Sequence, residues 1–222
     1  MFFSISTVCA SSSSSGQLIL PEALKLSPLY TLGLMKSPGL VGSDAKPDER
    51  STWLARALTA GADRVAPMVY PCMYALQTVG PGAEASGADP AAALPAPSTL
   101  SSEHMLPTGV FLVEDGENAY LWVGAQADPA MVNDILGSPP QQVDPASFSL
   151  QRLGGPWSEA VNRAVNEVRR RRCSYLRLRL VRRGDALERN VFGMLVDDRS
   201  GAGMSYVESL CSFHRAIQAK YS

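Results

Sequence analysis

The stretch WSEAVNRAVNEVRRRR (157–172), followed closely by YLRLRLVR (175–182), decides the fold class. In its first half Trp157, Ala160, Val161, Ala164, Val165 and Val168 fall at helical spacing on one stripe. Ser158 and Glu159 supply first-turn chemistry. Past Arg172 the period switches from helical to two. Leu176, Leu178 and Leu180 alternate with Arg177, Arg179 and, beyond Val181, Arg182, giving one apolar and one cationic face of a strand. Gly184-Asp185 breaks that strand, and Val191 to Val196 reads as its neighbour. Turn formers fill Asp197 to Gly203, and Met204 to Ile217 returns to a helical stripe through Val207, Leu210, Cys211, His214 and Ile217. Helix, strand, strand, helix is the outline of a binding or assembly module.

Upstream, Gly109 to Glu114 and Ala119 to Val123 read as a hairpin around Asp115-Gly116. Asp128-Pro129 opens a short helix that Gly137 ends, and Ser138 to Pro156 is loop. The C-terminal block is therefore α/β (α+β), a mixed sheet covered by helices. Before it, Thr78 to Ser98 is rich in Gly, Ala and Pro and reads as a flexible connection, its linker core at 81–98. Residues 17–80 read as short helices: one from Pro21 divided or kinked at Pro28, one from Asp48 through Leu58, and a helical turn at Met73 to Leu76. These helices are apolar on several faces and need a partner surface. Residues 1–16 read as a disordered tail, since Met1 to Ala10 lacks the basic start of a signal peptide.

Net charge is −1, which gives the whole molecule no global attraction to nucleic acid or acidic lipid. The distribution is uneven: of 20 Lys and Arg, 11 lie between Arg152 and Arg189, and all are Arg. The four cysteines form no Cys-x-x-Cys pair, which argues against structural zinc and against a disulfide framework. No apolar run reaches the roughly 18–20 residues of a membrane span.

Several collinear motifs support a family resemblance. SSEH (101–104) through GVFLVEDGENAYLWVG (109–124) resembles the start of the gelsolin-like domain of the COPII inner coat. RRCSYLRLRL (171–180), Gly184-Asp185 and Val196-Asp197-Asp198 are similar to its middle, and GMSYV (203–207), LCSFHR (210–215) and Ile217-Gln218 to its last helix. QLILPEALKL (17–26) and PLYTL (28–32) resemble the end of that coat's helical domain, with Asp48-Glu49-Arg50 and Tyr70-Pro71 also matching. The family is the Sec-twenty-three/twenty-four family, the cargo-adaptor type. The resemblance implies a small all-α helical remnant at 17–80 and a gelsolin-like domain at 99–222. It implies a non-catalytic component of the COPII vesicle coat, acting in endoplasmic reticulum to Golgi transport. Its partners would be the paralogous inner-coat subunit and cargo or SNARE proteins, not nucleic acid. Its place would be the cytosol, the cytoplasmic face of the endoplasmic reticulum membrane and the coated vesicle, held peripherally through the coat. The family's zinc finger, trunk and β-sandwich have no counterpart in this sequence, so no cofactor is expected and the chain reads as a C-terminal fragment. ERNVFG (188–193) lacks the aromatic pair the family usually shows in that strand.

The candidate partner-binding residues are Arg169, Arg170, Arg171 and Arg172 at the helix end, with Arg177 and Arg179 on the strand. A helix C-terminus favours cations, so a structural motive exists. Four adjacent guanidiniums repel each other, and an acidic cargo tail or coat neighbour would relieve that. Reversing them to Glu is expected to weaken such a contact without unfolding the domain. Nucleic acid is a poor occupant because no aromatic residues interleave the run. GMSYV (203–207) approaches a nucleophile elbow but lacks its final Gly, so Ser205 reads as a helix cap and His214 as a stripe residue. Because gelsolin relatives bind calcium and actin, Glu114, Asp115, Glu117, Asp197 and Asp198 are candidate hard-oxygen ligands. Their spacing lacks the alternation of a loop site, and turn chemistry accounts for them. A free-standing gelsolin-type actin or calcium binder is the alternative from another class. Trp122, Trp157, Tyr175, Leu178 and Leu210 are expected in the core.

Overall fold

A computed structural model describes residues 21–41, 45–81, 94–172, 175–200 and 203–221. The tail expected at 1–16 lies outside the described residues. In chain order the helices and strands are α1 (Ser27–Lys36), α2 (Pro47–Thr59), α3 (Ala62–Val69), β1 (Cys72–Ala75), β2 (Val110–Glu114), β3 (Asn118–Val123), α4 (Pro129–Leu136), α5 (Pro156–Arg171), β4 (Arg177–Arg182), α6 (Glu188–Gly193) and α7 (Tyr206–Tyr221). Contacts divide the chain into two units, 1–54 with 196–222, and 55–195.

The 55–195 unit is built on a sheet of order β1-β2-β3-β4. β1 and β2 are antiparallel, with Cys72 opposite Glu114, and β2 and β3 form the expected hairpin, with Leu112 opposite Leu121. β3 and β4 run parallel, Leu121 beside Leu180, joined by a crossover through α4 and α5. Every residue of β2 is buried, an apolar run from Val110 to Val113 that ends on Glu114, as in sheets covered on both faces. One face carries Val110, Leu112, Leu121, Val123, Leu178 and Leu180. It packs on Met131, Val132 and Ile135 of α4 and on Val161, Ala164, Val165 and Val168 of α5. The α5 stripe read from the sequence is thus the buried one. On the other face the Phe111 and Trp122 rings meet with centroids 5.9 Å apart.

Local chemistry fixes the crossover helices. Asp128 caps α4 by accepting from Ala130 N at 3.0 Å, and Gly137 ends it at φ 76°, a left-handed position that suits glycine. The start of α5 is capped from α4: Asp134 Oδ2 accepts from Trp157 N at 2.8 Å. A Cβ on Gly155 would lie 1.5 Å from Asp134 Oδ1, so only glycine admits that approach. The buried Ser158 accepts from Leu153 N at 3.0 Å, anchoring the preceding loop.

Several local expectations differ from the structure. Met73 to Leu76 was expected as a helical turn, but Cys72–Ala75 is β1, drawn into the sheet by pairing with β2. Val191 to Val196 was expected as a strand, but Glu188–Gly193 is the helix α6. Glu188 there accepts from Trp122 Nε1 at 3.3 Å and from Gly184 N at 3.0 Å. Tyr175, expected in the core, is 76% exposed. Within the stretch expected as a linker, residues 82–93 lie outside the described set, whereas Leu94 is in the core and Ser98 N donates to Met73 O at 2.7 Å.

In the other unit α1 packs against α7. Pro28 divides the first segment as expected: a short 3₁₀ turn at Glu22–Leu24 precedes α1, and Pro28 sits in the first turn of α1, where a missing N–H costs nothing. Lys36 Nζ donates to Val196 O at 2.7 Å and Asp198 O at 2.5 Å. Burial lowers its pKa, and the Asp198, Asp197 and Glu208 carboxylates oppose that shift. Of the stripe expected on α7, Leu210, His214 and Ile217 are half-buried, but Val207 is 69% exposed and Cys211 is also exposed. Ser209 is the buried position instead. The inward face is therefore rotated from the expected one, and Leu210 is not core.

Candidate functional site

The basic cluster lies where α5 ends and β4 begins. Arg170 and Arg171 project from the last turn of α5, 78% and 53% exposed. Both return to Glu167, Arg170 at 2.5 Å and Arg171 Nε at 2.9 Å. These i,i+3 and i,i+4 pairs are the ones a helix surface brings together. Arg171's hydrogen bond, with the charges of both arginines, holds the Glu167 carboxyl below the usual glutamate range. Arg169 is half-buried; its Nε donates to Leu176 O at 3.2 Å, and its guanidinium lies 4.9 Å from the centroid of the Tyr175 ring. The exposed tyrosine and the guanidinium stack in a cation–π contact.

The other three expected site residues part company with this cluster. Arg172 is 11% exposed and pairs with Glu114, which has no exposed side chain. Glu114 also accepts from Gly116 N at 2.8 Å, so the buried carboxylate is well supplied with donors. Burial works against the Arg172 charge, but the hydrogen bond and charge of Glu114 outweigh it and raise its pKa. Burial, followed by the Glu114 charge, pushes the nearby Cys72 thiol up, which keeps it protonated and unreactive at neutral pH. Arg179 lies over the Tyr120 ring at 5.9 Å and donates to Asn118 Oδ1 at 3.2 Å. Arg177 is exposed and touches Ala146 O at 3.4 Å. The structure thus gathers Arg169, Arg170, Arg171 and Tyr175 and commits Arg172 to the interior. Sequence reasoning missed the Glu114–Arg172 pair, 58 residues apart, which no local spacing signals. It also missed the Glu167 pairs, which their i,i+3 and i,i+4 spacing could have signalled.

The remaining chemistry has local explanations. Ser205 N donates to Glu208 Oε2 at 2.8 Å while Glu208 N donates to Ser205 Oγ at 3.3 Å, a capping box that opens α7. Asp115 Oδ1 accepts from Glu117 N at 2.9 Å and Asn118 N at 2.6 Å, which shapes the β2–β3 turn. Glu117 pairs with Arg56 at 2.5 Å and Arg64 at 3.5 Å. Among the described residues no three His, Cys, Asp or Glu side chains converge as metal ligands. No described helix is long and apolar enough to cross a membrane.

Comparison with known proteins assigns this architecture. The model of the Sec23/Sec24 helical domain matches residues 2–67, and that of the gelsolin repeat matches residues 92–133. Protein transport protein SEC24 C of Arabidopsis thaliana is 41% identical over 96% of this chain and 19% of its own length. The likeness is to the Sec23/Sec24 family. Human protein transport protein Sec24C is 34% identical over 95% of this chain, again 19% of its own length. The crystal structure of the human COPII-coat protein Sec24c superposes on 100% of this chain and 28% of that one, with a TM-score of 0.84 at 27% identity. The chain therefore spans about a fifth of the length of these curated Sec24 relatives.

Proposed function

We propose that this chain works as a non-catalytic part of the COPII cargo adaptor in endoplasmic reticulum to Golgi transport. The observation that carries the reading is the likeness to a COPII-coat protein along the whole chain, helical segment and gelsolin-like sheet together. Its place is the cytosol and the cytoplasmic face of the endoplasmic reticulum, held there through the coat. Its partners are the paralogous inner-coat subunit and cargo or SNARE proteins. The role requires surfaces and no cofactor; the one serine of interest is spent on a helix cap.

Arg169, Arg170, Arg171 and Tyr175 form the contact surface in this reading, with Arg177 as a further exposed cation. Arginine and tyrosine are the residue types that interfaces enrich, since both combine contact area with directed polar groups. Arg170 and Arg171 share a single glutamate, which leaves net positive charge for an acidic partner. The test is the distribution of the fluorescently tagged chain in cells. Concentration at endoplasmic reticulum exit sites, reduced by Arg170→Glu with Arg171→Glu, is the expected result. A diffuse signal from the unaltered chain would overturn the proposal.

A further inference from the structure

The parallel strands β3 and β4 end side by side at Val123 and Arg182. Beyond those ends lies a groove of about 610 Å³. Clefts of this size beyond the carboxyl ends of parallel strands are recurrent ligand positions. Val123 and Val132 line it, and Pro129, Pro139 and Pro140 add rigid apolar surface. Asn133 and Gln141 contribute side-chain amides. Arg182 is a brace: it donates to Pro140 O at 2.6 Å and Val143 O at 3.3 Å while pairing with Asp185 at 3.1 Å, which ties the proline turn to the sheet.

Arg183 is different. It is 64% exposed, and its carboxylate partner, Glu188, stands 3.6 Å away. Glu188 also serves Trp122 Nε1 and Gly184 N, so one carboxylate answers three donors. Asp185, the acid in the lining, is already held by Arg182. The groove thus combines apolar walls, two amide-bearing residues, and an exposed cation, packed 5.8 Å from the Phe192 ring, in a lining that holds two arginines against the single carboxylate of Asp185. We propose that it binds an extended peptide segment of a partner protein carrying an aspartate or glutamate. The carboxylate sits on Arg183, the peptide backbone on the Asn133 and Gln141 amides, and an apolar side chain against the prolines. Charge complementarity selects the acidic residue, and two amide side chains in the lining favour a peptide backbone over a compact anion. The site stands apart from the α5 cluster and does not rest on the coat reading.

The full 222-residue chain, immobilised, is used to select from a phage-displayed random peptide library. Gln141→Trp, exposed and placed to fill the groove, and Arg183→Glu are selected in parallel. Unchanged melting temperatures verify folding, and Ala125→Trp repeats the blockade from a second exposed lining position. The expected result is enrichment of peptides containing Asp or Glu, roughly tenfold or more, the scale of about 1.4 kcal/mol of binding. Both tryptophan variants lose that enrichment, and Arg183→Glu loses the acidic preference. Enrichment of the same peptides by the tryptophan variants, or an enriched set with no acidic bias, would overturn the proposal.

Discussion

Glu114 has no exposed side-chain surface, and its charge is sustained by Arg172 and the Gly116 amide. Removing one partner of such a pair leaves the other charge buried alone. Arg172→Met is therefore expected to cost about 3–5 kcal/mol, measured by urea unfolding followed through tryptophan fluorescence. Replacing both, with Glu114→Leu alongside Arg172→Met, restores most of that loss, since apolar substitutes for a buried pair are often neutral. Unequal effects are also expected from two aromatics that were both expected in the core. Trp122→Ala, buried to 2% exposure, should cost about 3–5 kcal/mol, whereas Tyr175→Ala should stay within about 0.5 kcal/mol. The alternation itself sets Tyr175 on the face of Arg177 and Arg179, opposite Leu176, Leu178 and Leu180, so its expected place in the core ran against the pattern. Its ring instead stacks on Arg169 outside the sheet. The arginine cluster was legible as a cluster, but which arginine turns inward depends on a carboxylate on another strand.

At the scale of elements, capping and pairing carry testable weight. Asp128→Ala removes the acceptor at the start of α4 and is expected to cost about 1 kcal/mol in thermal or urea unfolding. At the other end of the crossover, Glu167 titrates below its ordinary value of 4.5 because of Arg171 and Arg170. A folded value below the unfolded one means the stabilisation is complete above about pH 4.5 and is lost as pH falls through the folded value. Melting curves between neutral pH and pH 3 should show Glu167→Gln losing less stability on acidification than the unaltered chain. The long elements were legible because their patterns are internal: the α5 stripe, the β2–β3 hairpin and the α4 caps need no distant partner. The short ones were not. β1 has four residues and is a strand because Cys72 to Ala75 meet β2 some forty positions on. α6 overlaps the apolar run Val191 to Val196, which is too short for periodicity to separate helix from strand, and its Glu188 accepts from Trp122 and Gly184.

On the scale of the whole molecule, helical segment and mixed sheet both match the Sec24 relatives, and the proposed role is assembly, not turnover. Three of the five carboxylates that a calcium site would draw on, Glu114, Asp115 and Glu117, are engaged by Arg172, the hairpin turn, Arg56 and Arg64, and no three such side chains converge among the described residues. Millimolar calcium should accordingly leave the melting temperature unchanged, since only a ligand that binds the folded state raises it. The most direct measurement for the central claim is affinity purification of the tagged 222-residue chain from cell extract, with the co-purifying proteins identified by mass spectrometry. The account predicts recovery of COPII inner-coat subunits or their cargo above a tag-only control. Recovery of chaperones alone would contradict it.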